Sequence, residues 1–226
     1  MNLLFIHGSG FTGAAFDAQL TAFPGSAAPN LPGHDTVGSG ASVAEFADFI
    51  EAYIMSNDLR NVVLCGNSLG GAIALEVGLR ANPAVCALAL VGSGSRLRVA
   101  PAFLEGLRDR FETTARMIAG YLYADPTPAR IDEACSSMRI VGQAQTLRDY
   151  LACDAFDVTE RLGELALPVL ALTGESDKMT PPKYAQALAD RVAGAQTRIL
   201  PGAGHLAMIE SPSDTNQALI NFVAGL

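Results

Sequence analysis

The chain of 226 residues is short of basic residues, of histidine and of paired cysteine, and each shortage removes a class of function. Fifteen Lys and Arg face 23 Asp and Glu, a net charge of −8. That leaves no cationic footprint for a phosphate backbone, so a nucleic-acid partner is not expected. The acidic surplus serves solubility. Cys65, Cys86, Cys135 and Cys153 show no C-x-x-C spacing, and the opening Met1 to Gly8 has no basic segment or small-residue cleavage site. Both features predict a reduced, cytoplasmic setting. No apolar run approaches the roughly 20 residues needed to cross a bilayer, so no membrane partner is expected. The three histidines form no H-x-H, H-E-x-x-H or Cys/His cluster, and no metal is expected. Oligomeric state leaves no trace in the pattern.

Half of the residues are hydrophobic, enough for a substantial core in one large domain and far from the composition of a disordered chain. Short, wholly apolar runs recur at Leu3 to Ile6, Val62 to Cys65, Val85 to Val91 and Val169 to Leu172, with helical patterns between them. Runs of that length and uniform polarity read as parallel strands buried on both faces. Ser42-Val43-Ala44-Glu45 is a capping box, after which Val43, Phe46, Phe49, Ile50, Tyr53 and Ile54 keep the helical period. A second helix is expected from Leu69 to Ala81, stopped by Asn82-Pro83. Thr180-Pro181 and Ser211-Pro212 each read as an N-cap followed by proline at the first helical position. The fold class is α/β, a doubly wound and mostly parallel sheet.

One stretch breaks the alternation. From Val99 to Leu165 no strand-like run occurs, while helical patterns run over Phe103 to Phe111, Ala115 to Tyr123 and Ile131 to Tyr150. The expected organisation is a single domain over residues 1–226, its core in 1–98 and 166–226 and a helical insertion over 99–165. Five of the 15 basic residues, Arg96, Arg98, Arg108, Arg110 and Arg116, lie near the start of this insertion. They read as a solvated helix face with i, i+4 partners such as Arg108 and Glu112, or as a site for a substrate carboxylate.

The chemistry starts at Val62 to Gly71, where G-x-S-x-G (Gly66, Ser68, Gly70) directly follows a buried strand and opens a helix. In that setting the serine sits on a sharp turn crowded enough to demand small neighbours, and its hydroxyl stands over the strand ends. A serine is a weak nucleophile without a base, and the base needs an orienting partner. His205 lies in the glycine-rich loop Pro201 to His205, between the strand-like Thr197 to Leu200 and the terminal helix, at a strand's carboxyl end. Asp177, in Gly174-Glu175-Ser176-Asp177 after the strand Val169 to Leu172, lies at the same sheet edge. Glu175 reads as solvated, and Asp157 as a cap for a helix beginning Val158-Thr159-Glu160. The expected catalytic residues are Ser68, Asp177 and His205, in that chain order.

These motifs, with His7-Gly8-Ser9-Gly10 after the first strand and Asn30-Leu31-Pro32-Gly33-His34, resemble the α/β-hydrolase superfamily over nearly the whole chain. The resemblance implies a cofactor-independent hydrolase acting on a small-molecule acyl substrate, with the backbone N–H groups of Ser9 and Leu69 as oxyanion hole and the insertion as a helical cap. His7 then supports the oxyanion loop and His34 a turn. The first strand begins almost at once and the usual glycine after the LPGH segment is Asp35, so a shortened sheet of about six strands is expected. Met117, Tyr121, Met138, Leu147, Met179 and Met208 are candidates for an apolar acyl pocket. Carboxylic ester hydrolysis is the leading activity. Hydrolysis of a carbon–carbon bond in a ring-cleavage diketone, suggested by Gly66 to Gly71, and thioesterase, lactonase or perhydrolase chemistry use the same residues.

Two readings from other classes compete. A ligand receptor on this fold could keep the same three residues without turnover. Gly8-Ser9-Gly10-Phe11-Thr12-Gly13 is also a literal G-x-G-x-x-G after a strand, with Asp35 about 20 residues on, where an NAD-linked oxidoreductase would carry its ribose-binding acid. That reading needs a second buried strand, whereas Pro24, Gly25, Pro29, Pro32 and Gly33 make the intervening segment loop with at most a short strand.

Overall fold

The computed structural model describes residues 1–226. In chain order the elements are β1 (Asn2–Ile6), α1 (Asp17–Ala22), α2 (Val43–Ser56), β2 (Val62–Asn67), α3 (Leu69–Leu79), β3 (Val85–Val91), α4 (Pro101–Asp109), α5 (Phe111–Leu122), α6 (Pro128–Val141), α7 (Gln143–Ala155), β4 (Val169–Gly174), α8 (Lys183–Ala189), β5 (Gln196–Leu200), α9 (Ala207–Glu210) and α10 (Pro212–Ala224). The strands form one all-parallel sheet in the order β1-β2-β3-β4-β5. β2 and β4 are buried along their whole length, because helices cover both faces of the sheet.

Five strands replace the six expected. The missing one is a single parallel bridge, Leu4 to Ala27, held by Phe5 N–H to Ala27 O at 2.8 Å and Ala27 N–H to Leu3 O at 3.2 Å. Pro24 and Pro29 on either side lack the N–H groups a longer ladder needs. This bridge still sets the winding. The chain leaves β1 outward to Ala27, then returns across the sheet through α2 to β2, so the direction of winding reverses between β1 and β2. In open parallel sheets the crevice at such a reversal, above the strand carboxyl ends, is where sites form.

The two faces pack separately. Leu4, Ile6, Val62 and Leu64 meet Phe46 and Ile50 of α2, Ile73 and Val77 of α3 and Leu188 of α8. Leu3, Phe5, Val63 and Cys65 point the other way, toward Phe16, Leu219 and Phe222 of α10 and Ile118 of α5. The period of two within each strand makes this division. The capping box forms at α2, where Ser42 Oγ accepts from the Glu45 N–H at 3.2 Å; Glu45 reaches back one residue further than expected, to the Ala41 N–H at 2.9 Å. No helix is long and apolar enough to cross a membrane.

Residues 101–155, between β3 and β4, form α4 to α7, followed by a 3-10 turn over Thr159–Glu164. The single long pattern read over Ile131 to Tyr150 is two helices, broken at Gly142, whose φ of +85° no helix accommodates. Arg108 does not pair with Glu112; that carboxylate takes Arg139 of α6 at 2.8 Å instead. α8 starts later than Thr180-Pro181 suggested, because the Thr180 hydroxyl is committed to Asp177 rather than to a helix end.

The tightest backbone crossing lies where β2 turns into α3 beside the end of β1. A Cβ on Gly70 would overlap the Ile6 carbonyl, and one on Gly66 would overlap the Gly70 peptide. Gly70→Ala is therefore expected to lower stability by about 3 kcal/mol or more, since backbone cannot step aside. Gly120→Ala in α5, where nothing lies within 4 Å of the new methyl, should raise stability by up to about 1 kcal/mol through helix propensity. Urea-unfolding midpoints of the two variants check both signs.

Candidate active site

Ser68 occupies the N-cap of α3 with φ +53° and ψ −114°, a conformation strained for any residue with a Cβ. Its N–H is fixed to Val91 O of β3 at 3.0 Å, and its carbonyl accepts from Ser93 Oγ at 2.9 Å and from Gly71 N–H at 2.9 Å. Asn67, buried beside it, donates Nδ2 to Val91 O at 3.1 Å and to His205 O at 3.2 Å. One side chain thus ties the serine turn to the loop that carries His205. Pattern reading passed over Asn67, which looked like a spacer inside G-x-S-x-G.

His205 and Asp177 are joined. His205 Nδ1 lies 2.9 Å from Asp177 Oδ2 and 3.1 Å from Oδ1, with both side chains nearly or fully buried. Asp177 Oδ1 also accepts from the Met179 and Thr180 N–H groups, each at 2.8 Å, and Oδ2 from Thr180 Oγ1 at 2.9 Å. Burial by itself would push the Asp177 carboxyl up. The His205 charge and hydrogen bond, with the Thr180 N–H and hydroxyl, outweigh it and hold the carboxyl below the usual carboxylate range. A carboxylate only accepts, so Nδ1 carries the proton and Nε2 keeps its lone pair. Thr180, expected as a helix N-cap, serves Asp177 instead, and an Asp whose side chain takes the N–H groups two and three residues on is a common turn signature. Glu175, the competing acid, is exposed.

Ser68 and His205 line the same cavity, with Ser9, Leu97, Val99, Leu122, Tyr150 and Met179 among its walls. No hydrogen bond joins Ser68 Oγ to His205 in this geometry. The cavity is a narrow slot of about 50 Å³. Leu69 is the first residue of α3, so its N–H has no intrahelical acceptor. Ser9, nearly buried, makes its side-chain contact with Cys153 Sγ at 3.5 Å. Burial pushes the Cys153 thiol up to about 12, so it stays protonated and is no rival nucleophile.

Of the six apolar side chains expected around the slot, Met179 alone lines it. Met138 and Met208 are fully buried in the core, and Leu147 packs against that core from α7. Met117 and Tyr121 lie on the outer face of α5, each 43% exposed. The helical phase explains the error. Ala115, Ile118, Ala119 and Leu122 form the inward stripe of α5, and the cavity takes Leu122 from it. Leu97 and Val99, which line the slot from just after β3, lacked any periodic signal because they belong to a loop.

The loop after β1 is held from the insertion. Asp149 of α7, fully buried, accepts from the Gly10 N–H at 3.0 Å and from His34 Nε2 at 2.9 Å through Oδ2, and from Gln145 Nε2 at 2.9 Å through Oδ1. Ser137 of α6 donates to Gly10 O at 3.0 Å. On the other side His7 Nε2 accepts from the Leu31 N–H at 3.0 Å and Nδ1 donates to Gly8 O at 3.1 Å, which fixes its neutral tautomer. Burial first, then the neighbouring His34, push the His7 imidazole down to about 3. No signal in the sequence marks Asp149, since two of its three partners, Gly10 and His34, lie more than 100 positions away. The same bonds argue against a dinucleotide site. Gly10 N–H is spent on Asp149 and Gly13 N–H on Asn30 Oδ1 at 2.8 Å, a Gly13 Cβ would overlap Ala28, and Asp35 sits in an exposed loop.

Two outcomes follow. Asp149→Ala leaves buried donors without an acceptor, and should destabilise the protein by about 3 kcal/mol, read as a fall in the urea midpoint. Because the folded Asp177 carboxyl sits below its unfolded value, it contributes stability that is complete above about pH 4 and lost as pH falls through the folded value. The stability difference between wild type and Asp177→Asn should therefore be largest near neutral pH and shrink below about pH 4, in paired unfolding curves across the acid range.

A family model described as "Alpha/beta hydrolase family" matches residues 3–218. The 2-succinyl-6-hydroxy-2,4-cyclohexadiene-1-carboxylate synthase of Salmonella paratyphi A is 30% identical, over 96% of this chain and 92% of its own. The dihydrolipoyllysine-residue acetyltransferase component of the acetoin cleaving system of Pseudomonas putida is 26% identical over 86% of this chain, which spans 55% of that longer protein. Among solved structures, a thermophilic esterase superposes with a TM-score of 0.88 at 32% identity, covering 99% of this chain and 89% of its own. With the family pattern running through both halves of the sheet and the loops above it, the chain belongs to the alpha/beta hydrolase family.

Proposed function

We propose that this chain is a cofactor-independent serine hydrolase that cleaves small carboxylic esters through an acyl-enzyme. The observation that carries the reading is the doubly bonded His205–Asp177 pair, whose remaining nitrogen has no protein partner and shares one slot with Ser68. His205 Nε2 takes the Ser68 proton as Oγ bonds to the acyl carbonyl carbon. The carbonyl oxygen gains the negative charge, toward which the Leu69 and Ser9 N–H groups are the donors of this mechanism, each supplying about 3 kcal/mol of barrier lowering. Collapse breaks the bond to the alcohol, which leaves with the proton from His205. Water then repeats the sequence on the acyl-enzyme and regenerates Ser68. Asp177 stays ionised throughout, holding the tautomer and stabilising the imidazolium. The narrow slot and its apolar walls favour a short acyl group.

A fluorophosphonate should label Ser68 in the folded protein. Ser68→Ala should lose the label and about 10⁴-fold or more in kcat toward p-nitrophenyl acetate. Across p-nitrophenyl esters kcat/KM should fall as the acyl chain lengthens, and a thioester and a vinylogous diketone in the same panel separate the neighbouring chemistries. Wild-type turnover by Ser68→Ala, with no adduct on the native enzyme, would overturn the mechanism.

A further inference from the structure

The five arginines near the start of the insertion part company in the fold. Arg116 pairs with Asp132 at 2.7 Å on the outer surface. Arg98 lines the slot itself, exposed at its mouth and outside every ion pair of the structure. Arg96 faces a second concavity with Lys183, Arg191, Ser95, Thr159 and Tyr184. Tyr184 is a wall of both spaces, so the slot over Ser68 and this outer groove adjoin. They differ in size and lining. By the same measure the slot offers about 50 Å³ and the groove about 570 Å³.

The charge of the groove runs against that of the molecule. A chain with 15 basic and 23 acidic residues gathers Arg96, Lys183 and Arg191 around the groove and places Arg98 on the wall of the adjoining slot. The acids paired into the group are Asp157, 3.7 Å from Arg96, and Glu160, 3.5 Å from Arg191 and itself 92% exposed. Arg98 and Lys183 have no carboxylate partner, the ammonium of Lys183 lying 6.0 Å from the Tyr184 ring centroid. On the opposite side of the charge balance, Arg80 alone holds Asp48, Glu51 and Glu76. Lys183 in the groove and Arg98 on the adjoining slot wall, with no carboxylate of their own, beside Arg96 and Arg191, whose partners Asp157 and Glu160 are themselves 40% and 92% exposed, are a receiver for carboxylate or phosphate oxygens.

Resting on the serine hydrolase reading above, we infer that the substrate is a short-chain acyl ester whose alcohol carries an anionic group, carboxylate or phosphate. The acyl part fills the narrow apolar slot, and the anionic end of the leaving alcohol lies past Tyr184 among Arg96, Arg98, Lys183 and Arg191. The small slot excludes a bulky acid. The broad basic groove admits a large polar alcohol and raises its local concentration against the repulsion of an acidic protein.

The test compares three acetates, methyl 4-acetoxybenzoate, 4-acetoxybenzoate and 4-acetoxyphenyl phosphate, on the wild type and on Arg96→Gln/Lys183→Gln, with circular dichroism confirming that the variant is folded. The wild type should show a kcat/KM at least about tenfold higher for one charged ester than for the methyl ester, and the advantage should shrink between about 20 and about 300 mM salt. The double variant should lose most of that ratio. Which charged ester leads distinguishes phosphate from carboxylate. A ratio at or below one in the wild type, or a ratio unchanged in the variant, overturns the inference. Calorimetry of Ser68→Ala with the product alcohols, 4-hydroxybenzoate and 4-hydroxyphenyl phosphate, separates the two readings. Salt-sensitive product binding without turnover of any ester keeps the groove and sinks the acyl-enzyme; turnover of the methyl ester with a labelled Ser68 and no charge preference does the reverse.

Discussion

The crossing of β2 into α3 over the end of β1 is the constraint from which the site is built. Gly70 passes against the Ile6 carbonyl and Gly66 against the Gly70 peptide, closer than any side chain permits. The chain can turn that sharply only by holding Ser68 at positive φ, which costs about 1–3 kcal/mol and persists because neighbours over-determine it. Those neighbours are identifiable: Val91 O and Ser93 Oγ on β3 and its loop, and Asn67 reaching to the His205 peptide. The strain is therefore held by the same contacts that set the distance between the serine turn and the histidine loop. A change in any of them moves two loops at once.

The helices between β3 and β4 act on the site from the opposite side. Through Asp149, Ser137 and Cys153 they reach Gly10 and Ser9, on the loop that follows β1. A loop rich in glycine has little rigidity of its own, since Gly8 and Gly10 bring no side chains to pack. Its position is set by what holds its backbone. Here the holder is a buried carboxylate with three donors, and the element that carries it also supplies Tyr150 to the slot wall. The insertion is thus both the roof of the cavity and the clamp on its floor. Motion that opened the slot at α7 would be felt at Gly10.

Legibility in the sequence followed the range of the interaction. Strands buried on both faces announce themselves as uniform apolar runs, and Val62–Asn67 and Val169–Gly174 were readable for that reason. The placement of Ser68, Asp177 and His205 just past strand ends was readable because each follows an apolar, strand-like run. The side chains of α5 were misjudged because apolar character alone does not give helical phase; Ile118 and Leu122 set it, and Met117 and Tyr121 fall outside. The sixth strand dwindled to a bridge at Ala27 where prolines stand. Asp149 was invisible because its three donors come from Gly10, His34 and Gln145, two of them across more than 100 residues.

The three histidines show how environment divides one residue type into different tasks. His7 gives one nitrogen to Gly8 O and takes the Leu31 N–H on the other, so burial and partners both keep it neutral. His34 packs against it, ring centroids 4.7 Å apart and tilted by 57°, and faces an oxygen at each nitrogen, Pro32 O at 3.2 Å and Asp149 Oδ2 at 2.9 Å. Both rings are used up as structural hydrogen-bonding groups. His205 alone spends one nitrogen on a carboxylate and keeps the other outside the protein's own bonds, beside a cavity. A ring that is to receive and return a proton must have that asymmetry, an oriented Nδ1–H and an open Nε2. Neither other imidazole in the fold has a nitrogen outside the protein's own bonds.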